Sequence, residues 1–187
     1  MTATIRTLLA AAVALSAACA TAPTTPAERT ELHTDAEATL AQLERRDPSL
    51  RATLDAAAGY AVFPNVAKGG ALVGGAFGRG ILFIEDESVG YVELNQASIG
   101  AVLGGESFAE LIVFEHPESL IELEDGEFEL SANASATALT AGAARAARFE
   151  DGVAVFIEPR GGLMVDVSVG GQQLSYQPID SGFRRAK

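Results

Sequence analysis

The residues able to do covalent or acid–base chemistry are few: one cysteine, Cys19, and two histidines, His33 and His116. Nucleophilic catalysis needs a base held beside a hydroxyl or thiol. His33 falls in a stretch without apolar periodicity, and His116 precedes Pro117, where opening a helix accounts for it. Two isolated histidines do not make a histidine-rich zinc site. Glu122, Glu124, Asp125, Glu127 and Glu129 are crowded enough to raise a calcium reading. They flank a turn without the alternating ligand spacing of a calcium loop, and a solvated acidic face explains them better. Gly75, Gly78 and Gly80 run in the reverse order of the dinucleotide fingerprint, and no phosphate-binding P-loop occurs. There is no tryptophan to build a sugar platform. The expectation is a non-enzymatic protein with no catalytic residue, no metal and no cofactor.

The chemistry that remains belongs to Cys19. Arg6 is the only charge in the first 27 residues, and residues 8–18 form a largely apolar run of eleven. About 20 apolar residues are needed to span a bilayer as a helix, so this run reads as the core of a secretory signal, residues 1–18. The sequence LSAAC at its end matches the bacterial lipoprotein box, in which cleavage precedes a cysteine carrying diacylglycerol. Ser16 stands where a bulky aliphatic residue is usual, with Leu15 one place further out. An ordinary signal peptide cut near Ala18 is the alternative, but it leaves a reactive free thiol in an exported chain. Each buried methylene of an acyl chain contributes about 0.8 kcal/mol, so two or three chains hold a domain on a membrane almost permanently. Ala20 is not the aspartate that retains such proteins at the inner membrane, which implies an outer-membrane anchor facing the periplasm.

Cleavage before Cys19 leaves 169 of the 187 residues, one domain with a real core. The formal charge of −12 becomes −13 once Arg6 leaves with the signal. Such a chain is repelled by nucleic acid phosphates and by anionic lipid at long range, so nucleic acid is excluded as a partner and any lipid contact is local. With no cysteine left for disulfides, stability comes from burial, for which 48% hydrophobic content suffices.

The positioning elements read as follows. Residues 19–33 form a flexible tether with Pro23 and Pro26. Thr34 and Glu37 make a capping box opening a first helix that ends near Arg46. Asp47 and Pro48 start a second, to about Ala58, with Leu50 and Leu54 on one face and Gly59 ending it. Residues 59–83, GYAVFPNVAKGGALVGGAFGRGILF, mix seven glycines with large apolar residues and read as strands meeting at close backbone approach. Strands are expected at 81–84, 89–92, 97–103, 108–114, 153–157, 163–169 and 173–176, with a strict two-residue alternation over 131–138 and a short helix from Pro117 to Leu123. A hairpin turn is expected at Asp125-Gly126. The result is an α+β domain, residues 34–180: two short N-terminal helices, then eight to ten short strands in a curled, mostly antiparallel glycine-rich sheet or partial barrel. Residues 181–187, with Arg184, Arg185 and Lys187, form a basic tail.

GYAVFP at residues 59–64, KGG at 68–70, the glycine pairs that follow, NQASIG at 95–100, GGESFAELIVF at 104–114 and GGL at 161–163 resemble the SYLF domain family. The likeness covers residues 38–176. It implies an α+β lipid-binding module, whose eukaryotic members bind phosphoinositides and associate with actin and whose bacterial members are commonly exported or lipidated. Many eukaryotic members carry an arginine where this chain has Ala76, and phosphoinositides and actin are not expected in a periplasm. What the resemblance implies here is contact with membrane lipid or an apolar envelope ligand, with Lys68 and Arg79 the nearest cationic candidates for a lipid headgroup. Both also fit as solvated charges at turns. The alternative is a scaffolding lipoprotein that binds another envelope protein and meets lipid only through its anchor.

Overall fold

The computed structural model describes residues 22–71, 73–126, 128–130 and 136–179. The signal peptide, Cys19, the basic tail and most of the 131–138 alternation lie outside them. The segment read as a tether is largely structured. Ala22 is buried, and its backbone N–H donates to Gln177 Oε1 at 3.2 Å. The first helix, α1, spans Pro26–Arg46, a single element of 21 residues rather than a short one. Its capping box is Thr25 with Glu28, nine residues before the expected one, and Pro26 sits at the first position, where its missing donor costs nothing. Thr34, the expected cap, instead donates its hydroxyl to the Thr30 carbonyl at 2.9 Å. Ala36, Thr39 and Leu43 form the buried stripe. Helix α2, Leu50–Ala56, starts two residues after Pro48 and buries Leu50 and Leu54.

The fold is α+β with a mixed, unclosed sheet of six strands among the described residues: β1 Gly59–Gly70, β2 Val73–Ile84, β3 Glu87–Phe114, β4 Glu129–Leu130, β5 Ala136–Ala138 and β6 Val153–Pro178. Helix α3, Pro117–Asp125, precedes β4, and α4, Ala143–Ala146, precedes β6. Gly126, expected in a hairpin turn, caps α3 at φ 74°. The eight to ten short strands become two long ones and four shorter. The hairpin β1–β2 lies innermost; β2 pairs with the first half of β3, and β1 pairs with its second half. Strand β3 therefore runs round the tip of that hairpin. Strand β6 follows it outside for its whole length, from Gly90↔Pro178 to Phe114↔Val153. Glycines expected to end strands instead let the β3–β6 ribbon bend without unpairing. At Gly162, φ is +105° and any Cβ would run into the Gly105 carbonyl. On the outer edges β4 pairs with the second half of β6 and β5, in parallel, with the first half. Leu130 and Ala136 are six residues apart, so the two sheet edges lie within about 20 Å of each other.

Alternation splits the strands between two cores. Ala61, Phe63, Val66, Ala76, Leu82, Val92, Leu94, Ile112, Phe114 and Leu174 face inward, joined by Leu120 and Leu123 of α3. Val62, Ile81, Phe83, Leu111, Val113 and Phe156 face outward under Ala36, Leu43, Leu50 and Leu54 of the two N-terminal helices. Phe63 and Pro64 stand opposite Gly80 in a register shift between Val62 and Asn65, a bulge that suits a residue without an N–H. A Cβ on Gly80 would sit 2.5 Å from the Val62 carbonyl oxygen and 2.8 Å from the Phe63 ring. The expected result is that Gly80→Ala lowers stability by about 2–3 kcal/mol in urea unfolding. Gly161→Ala, whose Cβ meets nothing within 4 Å, stays within about 0.5 kcal/mol.

Candidate functional site

The two cationic candidates project from opposite faces of the sheet. Lys68 pairs with Ala76, on the inward face, and stands across from Glu106. Arg79 is on the outward face: its Nε lies 3.5 Å from Glu93 Oε2, and its guanidinium is 5.5 Å from the centre of the Phe77 ring. One phosphate therefore does not engage both. His33 Nε2 lies 3.0 Å from Ser88 Oγ, tying α1 to β3, and His116 caps α3. Glu122, Glu124 and Asp125 are exposed on α3, and no group of three or more potential metal ligands converges among the described residues.

The residue that sequence reading missed is Glu110. In Phe108-Ala109-Glu110-Leu111-Ile112-Val113-Phe114 the period of two puts Glu110 on the face of Phe108, Ile112 and Phe114, and it is 1% exposed. Among the described residues neither carboxylate oxygen has a hydrogen-bond partner, and the same holds for Ser98 Oγ and Gln172 Oε1. Burial pushes the Glu110 carboxyl up to about 7, against the opposing pull of the Gln172 amide and the Lys68 charge. This side chain can hold or release a proton near neutrality inside an apolar interior. The signal was legible: a glutamate inside a strand at the spacing of its largest apolar residues.

Two other buried carboxylates, Glu158 and Asp47, hold the fold together. Glu158 accepts from Arg46 Nη1 and Gln42 Nε2, both at 2.9 Å, pinning α1 to β6. Asp47 is fully buried and accepts from the amides of Ser49, Gly142 and Ala144 and from the Ser49 hydroxyl. Burial raises its pKa, but those donors prevail and hold it down to about 2. On the surface, Tyr60 donates to Asp86 at 2.6 Å, and Arg51 bridges Asp86 and Asp55, clamping the β2–β3 turn to α2. Hydrogen bonding from Tyr60 and then Arg51 lowers the Asp86 pKa.

Two surface clefts lie near α4. One of about 450 Å³ is lined by Thr137, Thr140, Ala143, Ala147, Arg148 and Glu150. The other, of about 240 Å³, is lined by Thr53, Glu115, Arg145 and Phe149 among others. Glu110 lines neither. No protein-family model matches the chain, and no curated protein matches it.

The burial of Glu110 predicts a pH dependence. Its folded pKa stands above the ordinary value of 4.5, so its contribution to stability is fully present below pH 4.5 and is lost as pH rises through about 7. The difference amounts to about 3 kcal/mol. Urea unfolding from pH 4.5 to 8 is expected to show Glu110→Gln gaining on the natural chain by that amount as pH rises; parallel profiles would mean the carboxyl is solvated.

Proposed function

We propose that this chain is a non-enzymatic lipoprotein of the bacterial envelope. In this reading it is anchored through acylated Cys19 in the outer membrane, faces the periplasm, and uses its domain to contact membrane lipid or an apolar envelope ligand. The observation that carries the reading is the docking of Ala22 on Gln177. Ala22 stands three positions after Cys19, a reach of about 10 Å, so acylation at Cys19 sets the domain against the bilayer rather than on a long leash. The SYLF-like motifs and the partial-barrel reading of the sheet agree with it. The acidic balance of the chain makes such contact a matter of local surface.

Flotation of the chain from residue 19 onward, carrying Cys19→Ser, tests the lipid reading. Residues 22–25 must be kept, because they dock and cap the domain. The expected outcome is that it rises with vesicles of phosphatidylethanolamine and phosphatidylglycerol. A chain that stays at the bottom with every bacterial phospholipid removes direct lipid contact and leaves the anchor standing. A discrete crosslinked envelope protein would then favour the scaffolding reading.

A further inference from the structure

The pairing gathers the least charged parts of the sequence at one end of the sheet. Val73 pairs with Ile99, which pairs with Val169; Ala101 pairs with Val167 and Leu103 with Val165. This end is made of three turns-back stacked side by side: the β1–β2 tip, residues 99–104 of β3 and residues 162–169 of β6. Within residues 69–77, 99–105 and 161–171 the only charge is Asp166. Large apolar side chains are exposed here although most such residues are buried elsewhere: Val73 is 67% exposed, Phe77 45% and Leu103 72%. All three belong to the outward set, and α1 and α2 leave this end of that face uncovered: Asn65, Ala67, Asn95 and Ala97 are exposed beside them.

Charge is distributed in the same sense. Residues 65–79, 93–108 and 159–171 carry Lys68, Arg79 and Arg160 against Glu93, Glu106 and Asp166, a net of zero in a chain of −12. An anionic surface therefore repels the body of this protein more strongly than this end. Among the described residues the exposed large apolar side chains at this end are Val73, Phe77 and Leu103. They do resemble what an interfacial segment presents to the headgroup and acyl boundary: a few apolar residues, here with the Arg79 guanidinium 5.5 Å from the Phe77 ring. Backbone pairing through the bends keeps most polar groups of the strands satisfied, as apolar surroundings demand.

From this we infer that the glycine-rich end of the sheet, with Val73, Phe77 and Leu103 leading and Arg79 behind them on the same face, is the surface that enters a phospholipid bilayer. The inference rests on the lipid-contact reading and names its surface. It also fixes an orientation. Ala22 docks on Gln177, which pairs with Tyr91, eight residues or about 26 Å along β3 from Ile99. An anchor at one end and a contact at the other lay the strands along the membrane.

The chain lacks tryptophan, so a single introduced one reports cleanly. The anchored full-length protein is compared as Leu103→Trp, Phe77→Trp and Ile121→Trp in phosphatidylethanolamine and phosphatidylglycerol vesicles with brominated acyl chains. Ile121 is 58% exposed on α3 and serves as the distant control. Emission from positions 103 and 77 is expected to shift to the blue and be quenched about twofold or more, with position 121 unchanged. Quenching at 121 in place of 103 and 77 overturns the surface but leaves lipid contact standing. No response at any position, with the protein still vesicle-bound, overturns both. A blue shift that grows with protein concentration in the absence of lipid assigns the end to a second copy and overturns the inference.

Discussion

Every described strand depends on one constraint: the backbone donors and acceptors of β3 must stay paired while the strand reverses direction. They do so because β6 bends with it, residue by residue, from Gly90↔Pro178 to Phe114↔Val153. A long two-stranded ribbon can turn in this way only where side chains do not obstruct the crossing, and Gly104 and Gly162, both at positive φ, fall at the turn. The ribbon encloses the β1–β2 hairpin and sets which residues face inward, where the edges lie and what the far end of the sheet presents.

Enclosure also explains the carboxylates. The inward face closes around Phe63, Ile112 and Phe114, so a carboxyl at Glu110 loses its water and gains no direct bond in return. Its elevated pKa is the consequence. Asp47 and Glu158 are buried as deeply but stand where helices meet strands, with amide, hydroxyl and guanidinium donors around them. Asp47 and Glu158 thus join layers, whereas Glu110 waits on a proton. With no disulfide possible within a chain of one cysteine, those joints and the two apolar cores carry the stability.

Much of this was legible in the sequence, and the failures have definite causes. Glycine among large apolar residues over 59–83 correctly indicated strands in close approach, because Gly78 and Gly80 leave no room for a Cβ. The opening of α3 at Pro117 followed from local chemistry alone. The start of α1 was misplaced because two Thr-x-x-Glu boxes compete, and Pro26 favours the earlier one. Strands β3 and β6 were cut into pieces because glycine and proline mark a bend and a break alike; only the partner strand, distant in sequence, decides between them. Glu110 was passed over because it sits among apolar residues that already satisfied the strand reading. Lys68 and Arg79 fall on opposite faces because Lys68 pairs with Ala76, three residues from Arg79 along β2, a register that only the paired strands reveal.

In the reading proposed here, the bent, glycine-rich end of the sheet meets lipid while the acidic, helix-covered body stays in water. Hydrogen–deuterium exchange of the whole chain, with and without phosphatidylethanolamine and phosphatidylglycerol vesicles, addresses it most directly. The account predicts slower exchange on lipid addition at residues 69–77, 99–105 and 163–171, with α1 unchanged. Slowing confined to α1 and α2, or absent altogether from a vesicle-bound protein, would contradict it.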